Sequence, residues 1–243
     1  MRNLLLFMLL VAIFVVGKRG CSWHWNIFSN VRGEGPVQTE TRTVEGFHGV
    51  DLSLAGTVEA TVSDQYSVEV SAQGNLLPHL KTEVNDGILK VYFDDNVSSS
   101  ESVTIRVSAP AYDAFTLSGS GKIALNSPLK NERLDLDISG SGDLILPQID
   151  IRETNIDIAG SGTVEIGGTG NKVDAQVSGS GDVRASNFTV AICHAEVTGS
   201  GTLRCDVSQE LDASVSGSGN VYYTGNPGVK ENVSGSGEIK KVN

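Results

Sequence analysis

Aromatic side chains are scarce: Phe, Trp and Tyr together make up 6% of the chain. That argues against a large globule packed around rings and leaves a thin core of Val, Ile, Leu and Ala. Cysteine is nearly absent, with 3 in 243 residues. No CxxC and no Cys/His metal spacing occurs, so the sequence offers no metal site. Basic residues are also in short supply, 18 against 29 acids, for a formal net charge of -11. Residues 1 to 20 hold three of those bases (Arg2, Lys18 and Arg19) and no acid, so without them 15 bases face 29 acids and the charge is -14. Such a surface repels phosphate backbones, which argues against nucleic acid and against electrostatic docking on anionic lipid.

Glycine is what the chain has in excess, 28 residues, and most of the surplus falls in one motif. Gly-Ser-Gly occurs seven times, as Gly119/Gly121, Gly140/Gly142, Gly160/Gly162, Gly179/Gly181, Gly199/Gly201, Gly217/Gly219 and Gly235/Gly237. Successive first glycines are 21, 20, 19, 20, 18 and 18 residues apart. The flanks repeat as well. An apolar residue stands two before each first glycine, from Leu117 to Val233, and another four after it, from Ile123 to Ile239. Leu134, Leu136 and Ile138 alternate with Asp135 and Asp137, as Val173, Ala175 and Val177 do with their polar neighbours. Period two marks strands with one buried face.

Each unit reads as strand, glycine corner, strand and return loop. One such unit cannot bury its apolar face alone and must stack on the next copy. The fold class expected is all-β: a right-handed parallel β-helix (β-solenoid) with ~20 residues per rung, rungs about 4.8 Å apart and Gly-Ser-Gly corners. The corner glycines answer a need for positive φ or close backbone approach. The serine between them is placed to hydrogen-bond stacked neighbours and corner amides.

Residues 116–242 form the regular repeats and 37–115 a less regular part of the same solenoid. Strand-like runs there are 37–44, 50–54, 58–62, 67–71, 88–93 and 103–108. The segment 51–58 (DLSLAGTV) reads as a degenerate corner. Asn75 to His79 reads as a turn or short helical insertion, and Asn85-Asp-Gly87 as a hairpin signal. This half is expected to continue the sheets and cover one edge, with Lys240 and Lys241 blunting the other.

Residues 1–20 form a signal peptide or membrane anchor. The apolar run Leu4 to Val16 is 13 residues, short for a span and suited to an export signal. Cleavage by ordinary signal peptidase after small residues competes with a lipobox reading in which Cys21 is lipidated. Lys18 and Arg19 make that lipobox imperfect. Residues 21–36 form a tether whose Trp23, Trp25 and Phe28 either rest at a membrane interface or pack on the first rung.

Cys193 and Cys205 fall on inward positions either side of one corner. Walls about 10 Å apart exceed the roughly 7 Å Cα limit of a disulfide, so two buried free thiols are expected. His24, His48, His79 and His194 are scattered, His194 as an outward surface residue, and no Ser/His/Asp set assembles. Gly-Ser-Gly is no phosphate loop, since neither G-x-x-x-x-G-K-[ST] nor G-x-G-x-x-G occurs. Asp143 and Asp182 follow corners, but the other copies carry Lys, Thr, Asn or Glu there, unlike a calcium β-roll. No catalytic residue, cofactor or metal is expected. Asp135, Asp137, Asp157, Asp174 and Glu196 form an outward acidic column, serving either solubility or a polar ligand.

Residues 44–60 (VEGFHGVDLSLAGTVEA), 75–91 (NLLPHLKTEVNDGILKV) and the seven corners together resemble the bacterial head GIN domain family of proposed autotransporter adhesins. The resemblance covers about residues 36–242. It implies a right-handed β-helix, placement at the cell surface or in the periplasm, often behind a lipoprotein signal, and an adhesion role. The family has no agreed catalytic residues, so none is carried over. The expected function is a non-enzymatic adhesion or scaffold module binding a glycan or an envelope or host protein. The alternatives are a structural envelope protein without external ligand and a polysaccharide-acting β-helix enzyme.

Overall fold

The computed structural model describes residues 30–99 and 101–242. Residues 1–20, expected as a signal peptide or membrane anchor, together with Cys21, Trp23, His24, Trp25 and Phe28, lie outside the described residues. All secondary structure among the described residues is β, and among those residues no helix is long and apolar enough to cross a membrane. The first strands are β1 Val31–Arg32, β2 Val37–Arg42, β3 Gly49–Leu52, β4 Thr57–Val62, β5 Ser67–Gln73, β6 Leu80–Asn85, β7 Ile88–Phe93, β8 Val97–Ser98 and β9 Thr104–Ala109. The repeats supply β10 Ala114–Gly119, β11 Lys122–Leu125, β12 Leu129–Gly140, β13 Asp143–Gly160 and β14 Thr163–Gly179. They continue through β15 Asp182–Gly199, β16 Thr202–Gly217, β17 Asn220–Gly225, β18 Gly228–Gly235 and β19 Glu238–Lys241.

Every pairing among β10 to β19 is parallel, and the rungs stack into a β-solenoid of about six turns. Equivalent residues of successive repeats lie over one another. Leu117, Ile138, Ile158, Val177, Val197 and Val215 form one inward column, none more than 1% exposed. Ile123, Leu144, Val164, Val183, Leu203 and Val221 form the facing column beyond the corner. Each such side chain contributes about 1.5–3 kcal/mol by leaving water. That burial exists only because the next rung covers it.

The return segment differs from the loop expected. In β13 to β16 one strand runs unbroken from corner to corner and stays paired through the return wall, where Ile149, Ile151, Phe188, Val190 and Val207 are buried. Register shifts at Leu146/Ile149, Glu165/Gly167, Ala185/Thr189 and Val190/Ile192 absorb the unequal repeat lengths. A bulge accommodates an extra residue without surrendering the ladder on either side, so a backbone that is half buried keeps its hydrogen bonds.

The two glycines of a corner do different jobs. The first lies at positive φ in all seven copies, from 118° at Gly217 to 144° at Gly140. The second glycines, Gly121, Gly142, Gly162, Gly181, Gly201, Gly219 and Gly237, all lie outside the positive-φ region and answer the other need, close backbone approach. Space is what constrains them. A Cβ on Gly162 would meet the Gly142 carbonyl oxygen at 2.7 Å, one on Gly181 the Gly162 oxygen at 2.8 Å, and one on Gly219 the Gly201 oxygen at 2.7 Å. Gly142, Gly201 and Gly237 are pressed in the same way on the carbonyls of Gly121, Gly181 and Gly219. Gly121 meets the carbonyls of Leu54 and Gly56 in the degenerate corner instead, at 2.6 and 2.7 Å. An inward side chain from the rung below closes the other side, Ile138 under Gly162 and Ile158 under Gly181, each at 2.6 Å. Corners are tied by backbone, with Ser161 N–H donating to Gly140 O at 2.8 Å and Ser180 N–H to Gly160 O at 2.8 Å. The serine hydroxyls face solvent and take no part in that ladder.

At the N-terminal end β3 stacks on β10 and β4 on β11, so residues 53–56 replace a Gly-Ser-Gly corner. Lys122 N–H donates to Gly56 O at 2.8 Å, as a corner residue would. Beyond that rung the direction reverses. β7 and β9 still stack in parallel on β3 and β4, but β6 runs antiparallel to β7, β5 to β9 and β2 to β5. The β6–β7 turn is Asp86-Gly87, both at positive φ (51° and 77°), as a two-residue hairpin requires. Residues 74–79 form turns and no helix. The few rings concentrate in this cap: Phe47 packs on Tyr66 and Tyr112 on Phe115, each pair with centroids 5.2 Å apart.

The opposite end is an open rung. β18 is laddered to β16, and its residues are exposed throughout. Val229 and Val233 are 39% and 43% exposed where their counterparts below are buried. Two inward positions of this rung carry charge: Glu231 stacks on Ala213 and Lys241 on Tyr223. Inward-pointing charges on an edge strand oppose further strand addition. Lys241 was legible as an edge residue, whereas Glu231 shows only in the register.

One buried polar side chain stands out in the inward column Leu134–Thr154–Val173–Cys193–Leu211. Thr154 is 1% exposed and its hydroxyl has no hydrogen-bond partner. Thr154→Val keeps the shape and removes an unpaired hydroxyl, so it should stabilise the fold by about 1–2 kcal/mol. Thermal unfolding checks this, and a lower Tm for the valine variant would refute it.

Candidate binding faces

Alternation forces every second residue of the pre-corner wall outward, and parallel stacking lines those residues into columns. The acids expected in one column occupy two, separated by one inward residue. Asp135, Asn155, Asp174, His194, Asp212 and Lys230 form the first. Asp137, Asp157, Gln176, Glu196, Ser214 and Asn232 form the second.

The columns differ in electrostatic state. In the first, the acids have partners: Arg133 Nε donates to Asp135 at 3.1 Å and Asn155 Nδ2 to Asp135 at 2.6 Å. Lys172 and Lys230 reach Asp174 and Asp212, both at 2.7 Å. In the second, Asp137 stacks on Asp157 with no cation between them. Partial burial pushes the Asp137 carboxyl above the ordinary carboxylate range, with Asp157 and then Asp135 adding to the shift. A carboxyl raised in the folded state costs stability once both states are ionised and costs nothing below its unfolded pKa. Asp137→Asn should therefore raise stability slightly at pH 7, by well under 1 kcal/mol given its exposure, seen as a small rise in Tm. The gain should vanish near pH 3, and a gain persisting there would refute the linkage.

His194 is half-buried rather than a free surface residue, stacked between Asp174 and Asp212. Together with Gln176, Glu196 and Ser214 these residues line a shallow depression of about 200 Å³. His48 Nδ1 pairs with Asp113 Oδ1 at 2.7 Å, away from this wall.

Beyond the corners, the residue five after each first glycine also points outward. Glu165, Arg184, Arg204, Tyr222 and Lys240 fall in one column. The Arg204 guanidinium lies over the Tyr222 ring, 5.2 Å from its centroid, and Tyr222 Oη donates to Glu238 at 2.9 Å. Sequence reading by residue type missed this ladder, although the constant offset of five was there to find.

Cys193 and Cys205 are both buried and both free. They belong to facing walls, yet their thiols interact across the thin core. Contact with Cys205, then burial, pushes the Cys193 thiol well above its ordinary range, so Cys193 presents no reactive thiolate.

The family model described as "Putative auto-transporter adhesin, head GIN domain" matches residues 46–227. The chain belongs to the head GIN domain family. Solved structures share its fold. A "putative adhesin" from Bacteroides fragilis superposes with a TM-score of 0.82 at 22% identity, covering 88% of this chain and 100% of that one. A "putative adhesin" from Parabacteroides merdae gives 0.73 at 22% identity, covering 88% and 99%. A "putative lipid binding protein" from Parabacteroides distasonis gives 0.76 at 24% identity, covering 88% and 100%. No curated protein matches at a significant level. In this head GIN domain the matched span takes in the cap from residue 46 onward, without β1 and β2, and all but the last corner of the repeats.

Proposed function

We propose that this head GIN domain is a non-enzymatic adhesion or scaffold module, exported to the cell surface or periplasm, that presents its pre-corner wall to a glycan or a protein partner. The observation that carries the reading is the second outward column, whose Asp137 and Asp157 run along the wall without cations of their own. Groups held at rung spacing on a rigid sheet are ordered before a ligand arrives, which lowers the entropy cost of binding an extended partner. Membership of an adhesin-described family supports the same reading.

A glycan array and a pull-down from envelope extract, run with the parent and with Asp137→Ala/Asp157→Ala, test the proposal. The expected result is a retained glycan or protein whose binding falls at least tenfold in the double variant. Binding unchanged by both substitutions would reject this wall as the contact face. Recovery on phospholipid vesicles alone would transfer the assignment to lipid. Protease shaving of whole cells shows whether the wall faces outward.

A further inference from the structure

The open end of the β6–β7 hairpin brings His79 together with Asp94 and Asp95, 15 and 16 residues further on in sequence. His79 precedes β6, and Asp94 and Asp95 follow β7. Asp94 N–H donates to His79 O at 3.1 Å, which fastens the two ends together. His79 Nδ1 then lies 3.3 Å from Asp94 Oδ1 and 3.2 Å from Asp95 Oδ2. One ligand atom from each residue falls within 4.8 Å of the other two.

We propose that His79, Asp94 and Asp95 form a binding site for a divalent transition-metal ion of the zinc class. With metal–ligand bonds of about 2.1 Å, nitrogen–oxygen separations of this size correspond to angles near 100° at the metal, between tetrahedral and octahedral values. One imidazole and two carboxylates suit such ions, and three protein ligands leave further positions to water. The geometry is less well served by a proton. Nδ1 carries a single hydrogen, which points along one direction, while two carboxylate oxygens sit at nearly equal range around it. His48 shows the contrast: its Nδ1 faces one oxygen of Asp113 at 2.7 Å, an ordinary one-to-one hydrogen bond. Lys81 Nζ holds the other oxygen of Asp94, Oδ2, at 2.9 Å and leaves Oδ1 to the cluster. The ion would bind the turn at 74–79 to the far end of β7 and lock the hairpin that covers this end of the solenoid.

Titration calorimetry of the full chain with zinc alone, supported by cobalt absorption spectra, tests the site. The parent should take up one equivalent at this site with a higher Tm. His79→Gln and Asp95→Asn, both at partly exposed positions, should weaken uptake at least tenfold with unchanged far-UV circular dichroism. His48→Gln and Cys193→Ala/Cys205→Ala should bind as the parent does. No saturable binding below a millimolar, a change under tenfold in either cluster variant, or loss of binding in either control would overturn the proposal.

Discussion

Gly179→Ala should lower stability by about 3 kcal/mol or more, and the same change at Gly119 by distinctly less, about 1–3 kcal/mol. Both glycines have nearly the same backbone, φ +122° and +127°. They differ in what lies beneath. A Cβ on Gly179 would come 2.5 Å from the Gly160 carbonyl oxygen of the rung below, and backbone cannot swing away as a side chain can. A Cβ on Gly119 has nothing within 4 Å, because the rung beneath turns through the degenerate corner at 53–56. The first substitution therefore adds a backbone clash to the φ strain, while the second carries the strain alone. Thermal unfolding should show a Tm about 10 °C below the parent for Gly179→Ala and a distinctly smaller drop for Gly119→Ala. Equal losses at the two sites would mean that conformational strain, not rung stacking, selects glycine at these corners.

Replacing Glu231 and Lys241 together by valine should turn the open rung into a sticky edge. The register puts both side chains where buried columns end, above Ala213 and Tyr223, next to Val229 and Val233. With both charges gone, the rung offers unpaired backbone groups along β18 and β19 beside a continuous apolar face, the combination that recruits further strands. Light scattering across a concentration series should show assemblies in the double variant at concentrations where the parent shows none. Identical profiles would show that the two charges do not guard this end.

The repeat was legible because glycine spacing and period-two alternation are both local in sequence. Leu117 to Val233 and Ile123 to Ile239 announced which face turns inward, and stacking follows from the need to cover it. The division of labour within a corner was not legible, since Gly160 and Gly162 are the same letter and only φ and the carbonyl beneath tell them apart. The return wall was hidden too, because Ile149 and Phe188 sit in stretches whose alternation is broken by bulges, and a bulge in sequence looks like a loop. The hairpin 85–88 was visible through Asp86-Gly87, but β6 escaped, since Lys81, Glu83 and Asn85 alternate with half-exposed partners at the solenoid's edge. Residues such as Arg204 and Tyr222 or His79 and Asp94 meet only through rung stacking or hairpin closure, which residue spacing alone does not display. The outward acids were visible one by one, yet their division into neutralised and unneutralised columns depends on Arg133, Lys172 and Lys230, whose reach is a matter of side-chain geometry.

Because each turn is held only by the turns above and below it, loss of order should travel along the axis instead of striking everywhere at once. Amide hydrogens of β18 and β19 have a stacked rung on one side only, and those of β13 and β14 on both. Deuterium should enter first at the strands holding Val229 and Ile239 and last midway along the stack, drawing a gradient that measures, step by step, how tightly each coil grips the next.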